Sequence, residues 1–243
     1  MVSPAPSEIY QQSAGNMVSG QVIHEHVYDR LRDALISGQL APGRPISVRR
    51  LAAQFDVSAM PAREAIRRLV AVGALEMTET RRVMIANMTE EKLKQIQRAR
   101  LALEPQLGEA VLEAIGTQPR QLAKLIKVLV KVDAELDDAI RQGDLPGYAR
   151  TNSEFHFTLY RASGAHVIIS LVESLWLQYG PHMRQIVGRL GTDCLVDDQH
   201  KEIIAALEAK DAEALVNAIA ADIHIGMDTL NVGDDPVIEA KAS

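Results

Sequence analysis

The chemistry this sequence offers first is that of arginine. In the stretch Val57-Ser58-Ala59-Met60-Pro61-Ala62-Arg63-Glu64-Ala65-Ile66-Arg67-Arg68-Leu69, Arg63 and Arg67 stand four residues apart. On a helix that spacing puts both on one side, with Ala59 and Met60 one turn earlier. Ala62, Ala65, Ile66 and Leu69 take the other, apolar side. A guanidinium fork matches phosphate oxygens and the guanine edge, so this face has the chemistry of nucleic-acid contact. A charge run more often only meets water, so the surrounding elements must decide.

Those elements are legible. Ile23, Val27, Leu31, Ala34 and Leu35 recur at helical spacing over 23–37, and Gly38 follows where a helix end favours a left-handed residue. Pro42, Gly43 and Pro45 predict a loop. Ser47 caps a short helix with Leu51, Ala52 and Phe55 inward, and a tight turn at Asp56-Val57 leads to Ser58 as the cap of the next. Pro61 falls in that helix's first turn, where a missing N–H costs little. Gly73 ends it. Residues 74–77 and 83–86 then predict a β-hairpin, with Arg81 and Arg82 beside its turn. Three helices and a hairpin in this order form a winged helix-turn-helix, whose second helix of the pair lies in the DNA major groove.

Charge supports that reading. The net charge is −6, yet residues 21–88 hold ten arginines against seven acidic residues and no lysine. The rest of the chain is acidic. Such asymmetry is a hint of a nucleic-acid module joined to something else. Beyond Thr89 the pattern is helical throughout: 90–115, 119–142, 145–163, 166–188, 194–209 and 211–230, an all-α bundle. The expected organisation is a flexible tail over 1–20, the DNA-binding domain over 21–88, the bundle over 89–232 and a second tail over 233–243. A single cysteine, Cys194, suits a reducing compartment. The first twenty residues have neither the basic nor the apolar region of a signal peptide, and no apolar run has the length of a membrane span. A cytoplasmic location is expected.

Leu31-Arg32-Asp33-Ala34-Leu35-Ile36-Ser37-Gly38, Pro42-Gly43, Ser47, Leu51-Ala52, Val57-Ser58, Pro61-Ala62-Arg63-Glu64-Ala65 and Arg67-Arg68-Leu69 resemble the GntR family of bacterial transcription regulators. Further on, Arg100-Leu101-Ala102-Leu103-Glu104-Pro105, Phe155-His156, Ser163-Gly164 and His200-Lys201-Glu202 resemble its FadR-type branch, with the C-terminal helical domain called FCD. The resemblance implies a homodimer on a palindromic double-stranded operator. It also implies a small organic-acid effector bound in the helical domain, commonly near a metal ion. By position, Arg49 matches a backbone- and base-contacting arginine, Ser58 a phosphate-binding hydroxyl and Arg63 the arginine that reaches guanine. Arg67 is a phosphate contact, and Arg81 and Arg82 lie in the wing. Where the family usually has Arg-Thr, this chain has Ala59-Met60, and the wing lacks the usual glycine. Met60 can meet a thymine methyl but cannot read guanine, so the operator preference should differ.

The family's metal quartet is one Asp and three His. Here the resemblance lands on Asn152 and His156, four apart on one helix, on His200, and on Asp222. His224 is the fallback if the last helix is shifted, because positions two apart point in very different directions. The resemblance offers a divalent ion (Zn, Ni, Mn or Mg) with a weakened oxygen–nitrogen donor set; two hydrogen-bonded histidines are the bland alternative. Arg100 matches the arginine that pairs with an effector carboxylate, with Glu104 four residues on as the competing partner. Arg184 and Tyr179 would line the same cavity. A metal-dependent hydrolase on a helical bundle is the rival class. The chain has no HExxH, nucleophile elbow or Walker A motif, and a fused DNA-binding module would serve no purpose there.

Overall fold

The structure is a computed structural model. It describes residues 26–40, 42, 45–80, 82–183 and 199–228. The chain divides into two compact units. The first takes in the described residues up to Ala34 and those between Gly43 and Ala86; the second takes in Leu35–Pro42 and those from Asn87 on. Residues 35–42 therefore group with the helical unit, although the sequence pattern put them inside 21–88.

Helix α1 runs through residues 26–36, and its part in the first unit buries Val27 and Leu31. Helix α2 spans Val48–Gln54, and the Ser47 hydroxyl accepts from the Arg50 N–H at 3.4 Å, as a capping serine should. The turn to the next helix passes through Asp56 in the left-handed region, φ 51°; the short polar side chain tolerates what a β-branched one would not. Helix α3 spans Ala59–Ala71 and turns Pro61, Ala62, Ala65, Ile66 and Leu69 into the core. Gly73, at φ 73°, closes it. Strands β1 (Leu75–Met77) and β2 (Val83–Ile85) pair antiparallel with Glu76 opposite Met84, and Ile46 adds a bridge to Val83. The alternation sends Leu75, Val83 and Ile85 inward.

The second unit is helical. Thr89 caps α4 (Glu90–Ile115) by accepting from the Lys92 N–H, with Glu90 and Glu91 in the first turn, where the helix dipole favours negative charge. Helix α5 (Pro119–Gln142) ends at Gly143 with φ 67°. Helix α6 (Leu145–Arg161) starts from Asp144, which accepts the Gly147 N–H. Helix α7 spans His166–Tyr179 and tightens into a 3-10 turn at Gly180–His182. The expected continuation of that helix to 188 thus fails inside the described residues, because Pro181 has no N–H to extend the ladder. Helix α8 spans Gln199–Ala209 and α9 Ala212–Asp228. Helix α4 packs against α9 and α7, and α5 against α6 and α8. At Gly108 the approach of α4 to α9 is so close that a Cβ would run into Ile219. No helix among the described residues is long and apolar enough to cross a membrane.

Candidate nucleic-acid interface and buried donor cluster

The outward face of α3 is open. Met60 is 71% exposed, and Ser58, Ala59, Arg63 and Arg67 are exposed beside it. Arg63 and Arg49 make no ion pair among the described residues. Two expectations change. Ser58 stands at the N-cap position, yet its hydroxyl makes no capping hydrogen bond, which leaves it available to an external oxygen. Arg67 is engaged: its Nε and Nη2 donate to Glu64 at 3.0 and 2.8 Å, so a phosphate must compete with that carboxylate. The hairpin turn is closed by Thr78, whose hydroxyl accepts from the Arg82 N–H at 3.1 Å. Arg82 is exposed; Arg81 lies outside the described residues.

In the helical unit, three residues expected as metal ligands come together. One donor atom from each of His156 (α6), His200 (α8) and Asp222 (α9) lies within 4.8 Å of the other two. His156 Nε2 is 3.2 Å from an Asp222 oxygen and 3.3 Å from His200 Nε2; His200 Nε2 is 3.7 Å from the second Asp222 oxygen. Both imidazoles are buried. Phe155 stacks on the His200 ring at 4.0 Å and fixes its plane. Burial would raise the Asp222 carboxyl, but His156, then His200 and Arg100, outweigh it and hold it down at about 2. Asn152 is buried one turn before His156 and takes no part in these contacts. His224 is exposed, which disposes of the fallback. Two nitrogens and a carboxylate suit a divalent first-row ion, and these donor atoms lie close enough together to share one.

Behind the cluster runs a chain of buried polar groups. Tyr160 Oη lies 3.2 Å from His156 Nδ1 and donates to Glu104 at 2.7 Å. Trp176 Nε1 donates to the same carboxylate at 3.0 Å. Arg100 Nε and Nη2 donate to Glu104 at 2.6 and 3.1 Å. The arginine, 2% exposed, lies over the Trp176 ring at 4.7 Å and the Tyr179 ring at 4.8 Å. The fork expected to await an effector carboxylate is therefore filled by Glu104, and its remaining nitrogen faces the Met227 sulfur at 3.4 Å. Burial drives the Tyr160 hydroxyl well above its ordinary range, with Glu104 adding to it. Burial also pushes Tyr179 up to about 12, against the pull of Arg100. Arg184 lies outside the described residues. Sequence reasoning missed two residues beside the cluster. Tyr160 could have been found, since it continues the row Asn152, His156 at intervals of four. Asp133, whose oxygen lies 3.4 Å from His200 Nδ1, sits on a distant stretch of chain and left no signal.

The bacterial regulatory proteins of the gntR family match residues 23–85, and the FCD domain matches residues 95–224. The chain belongs to the GntR family, in its FCD-containing branch. This GntR-family chain is 29% identical over 196 residues to the HTH-type transcriptional regulator McbR of Escherichia coli K12, covering 80% of this chain and 86% of the relative. It is 27% identical over 226 residues to the probable D-xylose utilization operon transcriptional repressor of Paenarthrobacter nicotinovorans, 88% and 95% covered. The solved structure of E. coli McbR/YncC superposes with a TM-score of 0.76 at 26% identity, over 86% of this chain and 96% of that one. GntR-family membership places the chain among DNA-binding transcription regulators and not among enzymes.

Proposed function

We propose that this GntR-family chain is a cytoplasmic, ligand-responsive repressor that binds a pseudo-palindromic operator as a homodimer. In this reading α3 enters the major groove, Arg63 reads guanine, and Met60 and Ala59 set a preference unlike that of Arg-Thr relatives. Ser58, Arg49 and Arg67 hold phosphates, with Arg81 and Arg82 reaching out from the wing. The observation that carries the reading is the outward edge of α3, where Arg63 is exposed with no ion-pair partner among the described residues. The probable D-xylose utilization operon regulator is named as a repressor, which favours repression here.

His156, His200 and Asp222, with Asn152 beside them, would hold a divalent ion. That ion would offer a Lewis-acidic anchor to a hydroxy- or dicarboxylate effector. An effector carboxylate that also engages Arg100 must displace Glu104. Effector binding would then shift the dimer between arrangements of differing operator affinity, and that difference is the switch.

Anisotropy titration of DNA from the region upstream of the gene tests the DNA arm. Arg63→Ala should abolish specific binding while the circular dichroism spectrum is unchanged; undiminished affinity would sink the assignment. For the effector arm, a thermal-shift screen of organic acids with and without chelator should find a ligand that stabilises only the metal-loaded protein.

A further inference from the structure

Helix α7 is apolar on both sides. Of its 14 residues, Glu173 is the one Asp, Glu, Lys or Arg. One side, with Val172 and Trp176, is buried within the helical unit. On the other, Val167 is 75% and Leu171 50% exposed, and Ile168 and Leu175 are half-buried. Ile168, Leu171 and Leu175 follow the three-then-four spacing of a helix–helix seam. Ser170 and Ser174 lie beside it. Their hydroxyls donate to the Val167 and Leu171 carbonyls at 2.8 and 2.6 Å, so neither donor is left to seek water. Glu173 stands two residues from Leu171, about 200° around the helix, and keeps its charge off this stripe. A helix that is hydrophobic all round is a buried helix, yet this side of α7 is bare. At 14 residues α7 is too short to span a bilayer, so a protein surface must cover it.

We propose that the outer stripe of α7, centred on Leu171, packs against the same stripe of a second copy of the chain. The inference rests on the homodimer reading above and gives that dimer a contact between helical units. Charge selects a second copy as the occupant. Each chain has a net charge of −6, so two copies repel and can close best where charge is sparse. The outer stripe of α7 carries none. Shape points the same way. A two-fold contact requires a patch that fits itself, and in an antiparallel pair the small Ser170 and Ser174 leave room for the partner's Leu171. Val128 and Val130 on α5 are exposed as well, but they stand among the exposed Lys124, Lys127 and Lys131. Like charges brought face to face would oppose pairing there.

Sedimentation velocity of the full chain at stepped concentration, without DNA, tests this. The wild type should be a dimer. Leu171→Glu sets two unpaired carboxylates at the two-fold and should raise the dimer dissociation constant about 100-fold or more, with the circular dichroism spectrum unchanged. Val130→Glu adds the same charge on α5 and should leave the dimer intact. A dimer undiminished in both Leu171→Glu and Val167→Glu overturns the proposal while the homodimer reading stands. A wild type that is monomeric at every concentration overturns both. If Leu171→Glu stays dimeric but melts at a lower temperature, the chain's own residues cover the stripe, and the proposal fails. Should Leu171→Glu not fold, Leu171→Cys in a Cys194→Ser background decides: mild oxidation should join two copies through position 171, and a dimer that does not cross-link there overturns the contact.

Discussion

At the scale of single residues, Asp222 is a side chain whose state depends on its neighbours. Its carboxyl is held at about 2, against an ordinary 3.8. A carboxylate depressed in the fold adds stability above the unfolded value, and that contribution is lost as pH falls through the folded one. In chelator, Asp222→Asn should therefore be less stable than wild type at about pH 5, above the unfolded carboxyl's range. The margin should shrink between about 4 and 2 as the wild-type advantage is protonated away. Urea titrations at stepped pH measure it; a margin that grows between about pH 4 and 2 would show that its neighbours do not hold the Asp222 carboxyl down. Residue types were informative here where they sat at helical intervals. His156 and its partner Tyr160 share one face of α6, whereas the link between His200 and Asp133 spans two helices far apart in sequence. That link arises only when α5 packs against α8.

Among the elements, the N-terminal unit was the more legible. Its helices and hairpin carry their own punctuation in Ser47, Asp56, Gly73 and the alternation around Leu75 and Val83. Local chemistry decides such boundaries, so they can be read locally. The bundle's helix ends were read less well. The apolar pattern after Tyr179 runs on through Met183, Ile186 and Val187, but Gly180 and Pro181 interrupt the ladder, and the pattern alone does not weigh one proline against them. Close packing of helices was not legible at all. Gly108 reads as a poor helix residue, yet it lets α4 approach Leu215 and Ile219 of α9, the helix that carries Asp222. Gly108→Val should destabilise by about 1–3 kcal/mol through overpacking, seen as a lower midpoint in thermal denaturation. It should also weaken Zn²⁺ binding, because Asp222 moves with its helix. Unaltered stability would mean that α9 yields freely.

For the whole molecule, uneven charge and the two units together set how it meets DNA. The acidic bundle repels the phosphate backbone, and the arginine-bearing unit attracts it, so affinity should fall steeply with salt. In a dimer each arginine acts twice. Arg49→Ala should lessen the slope of log affinity against log salt by about two, one phosphate per half-site. Anisotropy titrations at stepped KCl give the slope, and sedimentation of the free protein gives the stoichiometry; a change near one would argue for a single bound subunit. The division of α3 into a buried and an exposed face also bears on how the protein can diverge. Pro61, Ala62, Ala65, Ile66 and Leu69 hold the fold, while Ala59, Met60 and Arg63 point away from it. Substitutions on the exposed edge of a helix usually alter stability by no more than about 0.5 kcal/mol. The positions proposed to choose the operator can thus mutate almost without penalty to folding. A duplicated gene could acquire a new set of target promoters before any residue of its core had changed.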